Sequence, residues 1–224
     1  MKTQKTKITK YSFLAASLAG LCLATSAYAG NSPAPGGSTA FGKTLNQWED
    51  IYWRWTYGAL TVPTDGNGNA VVNGNVVLMA LPNAPGDGTP GHLDVTLNSG
   101  QAFVLPLWGL LGNSYSDGTP NDPLVDVSVL RTLDITLQID GVTVINATNH
   151  MQYYSEFYFD PVIPLPAAFA PYAGIIWFEG IGTVHSPLSP GTHTIKLDAK
   201  NTQPAFGNIF EYHNTWTLTV QPAP

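Results

Sequence analysis

Cysteine is nearly missing from this chain of 224 residues, and the one present, Cys22, lies in the leading segment. Residues 1–29 carry Lys2, Lys5, Lys7 and Lys10, then an apolar run over 13–25 that is too short to span a bilayer, then Ala27-Tyr28-Ala29. This is the pattern of a bacterial Sec-type signal peptide cleaved after Ala29, and it predicts a secreted or periplasmic protein. Leu21 does not suit Cys22 as a lipoprotein site, so the mature chain has no cysteine. Disulfides and thiol chemistry are thereby excluded, and stability must come from the core or from bound metal. Positive charge is also scarce. The mature chain keeps five basic residues, Lys43, Arg54, Arg131, Lys196 and Lys200, against fifteen carboxylates, a net charge of −10. That balance argues against nucleic acid and anionic membrane surfaces as partners. No later apolar run is long enough to cross a membrane. No G-x-S-x-G, phosphate loop, H-x-H or H-x₃-H occurs.

Turn formers are abundant, with 22 Gly and 18 Pro, and the composition suits short strands more than helices. The exception is residues 44–57. Thr44 and Gln47 form a capping-box pattern, Glu49 and Asp50 sit where the helix dipole favours negative charge, and Leu45, Trp48, Tyr52 and Trp55 recur at helical spacing. One amphipathic helix is predicted there, packed on a sheet. Residues 30–41, rich in Pro, Gly and Ser, read as a flexible leader, and residues 42–224 as one domain. Asn73-Gly74 and Asp140-Gly141 mark two tight hairpins. Alternation or apolar runs predict strands at 70–72, 75–80, 93–98, 101–107, 134–139, 142–146, 153–160, 174–185, 192–199 and 215–220. Residues 83–91, 112–123 and 161–171 read as loops, and 124–133 as either a strand or a short helix. The expected class is all-β, a β-sandwich or jelly roll with one N-terminal helix packed on it.

Gly42-Lys43-Thr44 followed by Trp48 and Trp53-Arg54-Trp55, and Ser186-Pro187-Leu188-Ser189-Pro190-Gly191-Thr192-His193-Thr194-Ile195 near the other end, carry a resemblance. Together they are similar to a family of largely uncharacterised secreted bacterial β-sandwich proteins, over roughly residues 42–221. The resemblance implies export and a β-sandwich, and brings no catalytic residues with it. Two cysteines of that family have no counterpart here.

The stretch that suggests chemistry is residues 153–160. As a strand it sets Tyr154, Glu156, Tyr158 and Asp160 on one face, and Tyr153, Ser155, Phe157 and Phe159 on the other. A carboxylate between tyrosines can accept hydrogen bonds from sugar hydroxyls while the rings stack on the sugar; β propensity alone also puts tyrosines on a strand. Glu179 stands in an apolar strand beside Trp177, where burial would raise its pKa as a general acid needs. Glu156 and Glu179 are thus candidate catalytic carboxylates, and Tyr154, Tyr158, Asp160 and Trp177 candidate ligand contacts. Asp65-Gly66-Asn67-Gly68-Asn69 matches the start of a calcium loop, with Asp65, Asn67 and Asn69 as candidate ligands, but Ala70 stands where the loop needs Gly and Val76 where it needs an acid, so turn chemistry is the favoured reading. Asp117, Asp122 and Asp126 form a second oxygen-rich stretch. A histidine metal site would need distant strands to converge, and His193 reads as a satisfied core histidine. The leading expectation is a secreted carbohydrate- or polymer-binding protein. A glycan-active hydrolase or lyase using Glu156 and Glu179 is the alternative, and a structural envelope or matrix protein is a third.

Overall fold

Thr44 starts the long helix as its sequence predicts. Its Oγ1 accepts from the Gln47 N–H at 3.3 Å, and its own N–H donates to Gln47 Oε1 at 2.9 Å. In the computed structural model, which describes residues 33–223 except Gly36 and Asn83, helix α1 spans Leu45–Thr56. The expected signal peptide over 1–29 and its expected cleavage site lie outside the described residues. Two short strands, β1 (Thr39–Ala40) and β2 (Lys43–Thr44), pair just before the helix. The expected leader is partly tied down, since the Ala34 N–H donates to Val184 O at 3.0 Å and Ala34 is buried.

Ten further strands follow: β3 (Ala70–Val72), β4 (Val76–Leu78), β5 (Asp87–Asn98), β6 (Ala102–Tyr115), β7 (Asp134–Ile139), β8 (Val142–Asn146), β9 (Tyr154–Pro164), β10 (Tyr172–His185), β11 (Gly191–Lys200) and β12 (Glu211–Gln221). The structure is mostly β, with 51% of the described residues in strands. Both expected hairpins form. Asn73 and Gly74 have φ of 52° and 79°, and Asp140 and Gly141 of 52° and 78°, as the tight turn requires. The strands make two five-stranded sheets, ordered β3-β4-β6-β10-β9 and β5-β12-β11-β7-β8. The pairs β4–β6 and β5–β12 are parallel, and the others are antiparallel.

One core lies between the sheets. It joins Phe103, Leu105 and Trp177 of the first to Ile195, Leu197, Trp216 and Leu218 of the second. A second cluster lies on the other face of the first sheet, where Leu45, Trp48 and Tyr52 of α1 meet Val76, Leu78, Ala102, Val104 and Val184. Strands β6 and β10 are therefore covered on both faces, which is why they read as unbroken apolar runs rather than alternating ones. Trp48 is fully buried and its indole N–H donates to Ala40 O at 2.8 Å. The Tyr52 hydroxyl donates to Met79 O at the same distance.

Stretches that read as loops from their glycines and prolines are partly strand. β5 begins at Asp87, β6 runs on to Tyr115 and β9 to Pro164, because each finds a partner: Asp87 pairs with Glu211, Tyr115 with Tyr172 and Pro164 with Gly174. Cross-strand bonding overrides local propensity here. Residues 124–133 include a single helical turn, α2 (Ser128–Arg131).

Glu49 differs from its expected role. It lies beyond the first turn of α1 and is fully buried rather than facing the helix dipole. Its Oε2 accepts from the Trp53 indole N–H at 3.0 Å, and its Oε1 has no hydrogen-bond partner among the described residues. It fits because Gly182 faces it, where a Cβ would lie 1.7 Å from Oε1. Burial pushes the carboxyl up to about 8, against the smaller downward pull of the Trp53 bond, so it is neutral at pH 7.

Two outcomes are expected. Trp48→Ala should lower stability by about 3–5 kcal/mol in denaturant melts, since it empties a filled site and leaves Ala40 O unpaired. For Glu49 the folded state holds a proton that the unfolded chain has released, so stability falls as pH rises from about 4.5 to about 8. The loss attributable to this carboxyl is up to about 5 kcal/mol. Glu49→Gln should remove that part of the slope, and equal slopes for the two proteins between pH 5 and pH 8 would refute it.

Candidate functional site

Strand β10 sits between β6 and β9, and its register with β9 sets Glu179 directly opposite Glu156. Directly opposed residues project on the same face of a sheet. Bulges between Ile175 and Trp177 and between Ile181 and Gly182 flank this segment of β10. On that face Tyr154 completes the group. Its hydroxyl lies 2.5 Å from Glu156 Oε2 and 3.5 Å from Glu179 Oε1, so those two oxygens are at most the sum, 6.0 Å, apart. The other Glu179 oxygen accepts from the Val125 N–H at 2.9 Å.

The two carboxyls differ in environment. Glu156 is exposed, whereas Glu179 is 2% exposed. Burial, with the nearby charge of Glu156 adding to it, pushes Glu179 above the usual carboxylate range, although the Val125 N–H and Tyr154 hydroxyl pull the other way. Tyr154 is held far above its ordinary value by burial and by donating to Glu156, so it stays a donor. The result is a buried carboxyl and an exposed one joined by a shared phenol.

The segment after β6 presses on this group. Asp122 accepts from the Asn113 backbone N–H at 2.9 Å and from the Tyr115 hydroxyl at 2.8 Å, and its carbonyl takes the Trp177 indole N–H at 2.8 Å. Trp177 is 1% exposed, so it serves the core and offers no ring to a ligand. Gly112 makes room for that indole, since a Cβ there would lie 1.9 Å from it. Tyr154 is half-buried with its hydroxyl engaged, so the pair of rings expected on this face reduces to Tyr158, which is 62% exposed. Asp160 is exposed on the same strand. On the opposite face Phe157 and Phe159 pack with Phe178, and the Ser155 hydroxyl donates to Asn46 of α1 at 2.7 Å.

The oxygen-rich loops work as turns. Asp65 accepts from the Asn67 and Asn69 backbone N–H groups at 2.9 and 3.0 Å and from the Gln101 and Asn69 side chains at 2.9 and 3.2 Å. Burial works against its charge, but these amide donors outweigh it and hold the carboxyl below the usual range. Both of its oxygens thus face donors, which is the reverse of a calcium shell. Asp117 and Asp126 accept from Thr119 and Ser128 backbone N–H groups in their own turns and do not converge with Asp122. Among the described residues no three His, Cys, Asp or Glu side chains gather to hold a metal ion. His193 is bonded to Asp140 and Ser189 O, and His213 lies between Asp198 and Glu211 on the second sheet.

No protein-family model matches the chain, and no curated protein matches it in sequence. Function must therefore be argued from the residues. The opposition of Glu156 and Glu179 needs the strand register, which sequence does not carry. A different polar residue was within reach of the pattern: Asn214 shares its side of β12 with Trp216, Leu218 and Val220, so the alternation marks it as buried.

Asp65→Ala should cost about 1–2 kcal/mol by unlatching the turn from Gln101 and Asn69. That cost should be the same in EDTA and in excess calcium. A calcium-dependent rise in the melting temperature of the wild type, absent from the variant, would restore the metal reading.

Proposed function

We propose that this is an exported β-sandwich protein that binds a polysaccharide or another hydroxyl-rich polymer along strand β9. One observation carries the reading. Tyr158 presents an exposed ring two residues from the exposed carboxylate of Glu156, on the same face of an edge strand packed firmly from behind. Residues two apart on a strand are separated by about 7 Å, a spacing that lets the ring stack on one sugar while the carboxylate accepts hydroxyl hydrogen bonds from its neighbour. Tyr154 holds Glu156 in place, so little order is lost on binding. The signal-like leader, the scarcity of basic residues and the exposed Phe169 and Tyr172 of the neighbouring segment agree with it.

A second reading has one observation in its favour. Carboxyl oxygens no more than 6.0 Å apart, one of them on a group with a raised pKa, suit an acid–nucleophile pair that cleaves a glycosidic bond with retention. Glu179 is 2% exposed and its oxygens are already engaged, so a glycosidic oxygen has no path to it without a shift of residues 122–126. Binding is therefore preferred to hydrolysis.

Retention on insoluble cellulose, chitin and xylan and affinity gels with soluble glucans test the proposal. Tyr158→Ala should weaken retention about tenfold, a loss near 1.4 kcal/mol, while leaving the melting temperature unchanged, because the ring covers no core. Glu156→Gln should weaken it by less. New reducing ends that vanish in Glu156→Gln would favour the hydrolase. A wild type retained by none of these polymers would leave the structural role instead.

A further inference from the structure

We propose that Glu179 is the positioning residue of the β9 site and its pH sensor. A proton on Glu179 Oε1 fixes the Tyr154 hydroxyl, and through it the Glu156 carboxylate, so the site holds its polymer in mild acid and releases it as the pH rises. This rests on the reading of β9 as the binding strand. The Tyr154 hydroxyl has one proton to give and two carboxyl oxygens around it, Glu156 Oε2 at 2.5 Å and Glu179 Oε1 at 3.5 Å. The proton goes to the nearer. Glu179 Oε1 then faces the phenol oxygen with no hydrogen between them, and the other Glu179 oxygen is already taken by the Val125 N–H at 2.9 Å. An ionised Glu179 would therefore point a buried charge at a lone pair. A protonated Glu179 donates to Tyr154, Tyr154 donates to Glu156, and every donor meets an acceptor. Bonds in such a chain strengthen one another.

The surroundings of Glu179 bring it no positive charge. β9 sets Glu156 directly opposite it, and β6 sets the apolar Leu110 on its other side. The segment after β6 brings the Val125 N–H and the carboxylate of Asp126. His150, in the helical turn packed against β10, is turned to Leu130 O and Ala147 O. Glu49 of α1 lies on the opposite face of the sheet, against Gly182. No Lys or Arg is among the groups that act on Glu179. Burial is the largest influence, with Glu156 and Asp126 adding to it, and the carboxyl keeps its proton above the ordinary value of 4.5.

Losing that proton displaces one glutamate and not the other. Glu179 cannot leave, since it is 2% exposed and tied to Val125. Glu156 can, because it stands exposed on an edge strand. With oxygens no more than 6.0 Å apart, the sum of the two distances to the hydroxyl, two charges repel across a half-buried phenol that has a single proton for both. Glu156 turns toward water and loses its fixed place two residues from Tyr158. The carboxylate must then be ordered again when polymer binds, which weakens binding. Affinity is therefore highest with Glu179 protonated and falls as the pH rises through its raised value.

Retention of the full mature chain on insoluble cellulose, chitin and xylan, measured from about pH 5 to about pH 8, reads this dependence. The wild type should lose about threefold to tenfold in affinity over that range, as expected for ordering one side chain. Glu179→Gln keeps an oxygen to accept from Val125 and puts an amide N–H where the proton was. It should bind at every pH as the wild type does in acid. Tyr154→Phe removes the relay and should bind weakly with no dependence on pH; it decides the matter if Glu179→Gln fails to fold. A further measurement needs no polymer. The Tyr154 ring carbon that bears the hydroxyl should show a step in its NMR shift over this range, absent from Glu179→Gln. A wild type retained by none of the polymers overturns both the polymer reading and the release built on it. Retention whose pH profile is unchanged in either variant, or a wild-type Tyr154 signal without the step, overturns the role of Glu179 and leaves the polymer reading standing.

Discussion

The constraint on which the structure depends is that β6 and β10 are covered on both faces, by α1 on one and by the second sheet on the other. In the middle of such a sheet a polar side chain has no water to turn to. Each one must find a protein partner, lose its charge, or reach an edge. The polar residues that matter sit where this rule is under pressure. Glu49 loses its charge, Glu179 finds Val125 and Tyr154, and Glu156 on the edge strand stays wet.

What could be read from sequence follows from how local each feature is. The Thr44–Gln47 cap, the Asn73-Gly74 and Asp140-Gly141 turns and the stripe of α1 involve residues a few positions apart, and all form as expected. The faces of β9 were also legible, because alternation is local. The ends of β5, β6 and β9 were not, since their glycine- and proline-containing extensions are strand only by virtue of partners far along the chain. Glu49 was misread for a related reason. Its place near the helix start suggests a dipole contact, but its fate is decided by Gly182, distant in sequence. Trp177 looked like a ligand contact, and the absence of a side chain at Gly112 lets it sink into the core instead.

The two parallel pairs, β4–β6 and β5–β12, also shape what the surface can offer. A parallel partner cannot be reached through a tight turn, so the chain between β4 and β6 must travel, and it does so through β5 in the second sheet. Because β4 is only three residues long, β6 continues without that neighbour.

Glu49 and Glu179 are both buried acids beside β10, and comparing them shows why only one belongs to a candidate site. Glu49 has a single bond, to Trp53, one turn away on its own helix, and is enclosed by α1 and Gly182 with no exposed group attached. Protonating it removes a buried charge, and its bond to Trp53 leads to no exposed carboxyl. Glu179 is bonded to a hydroxyl that also touches Glu156, and Glu156 faces solvent. A proton, a charge or a bound hydroxyl at Glu156 is therefore felt at Glu179 through Tyr154, and through Val125 by residues 122–126. Burial alone makes a carboxyl neutral. Burial with a hydrogen-bonded path to the surface makes it responsive, and that is the ground for proposing the β9–β10 face as the binding site.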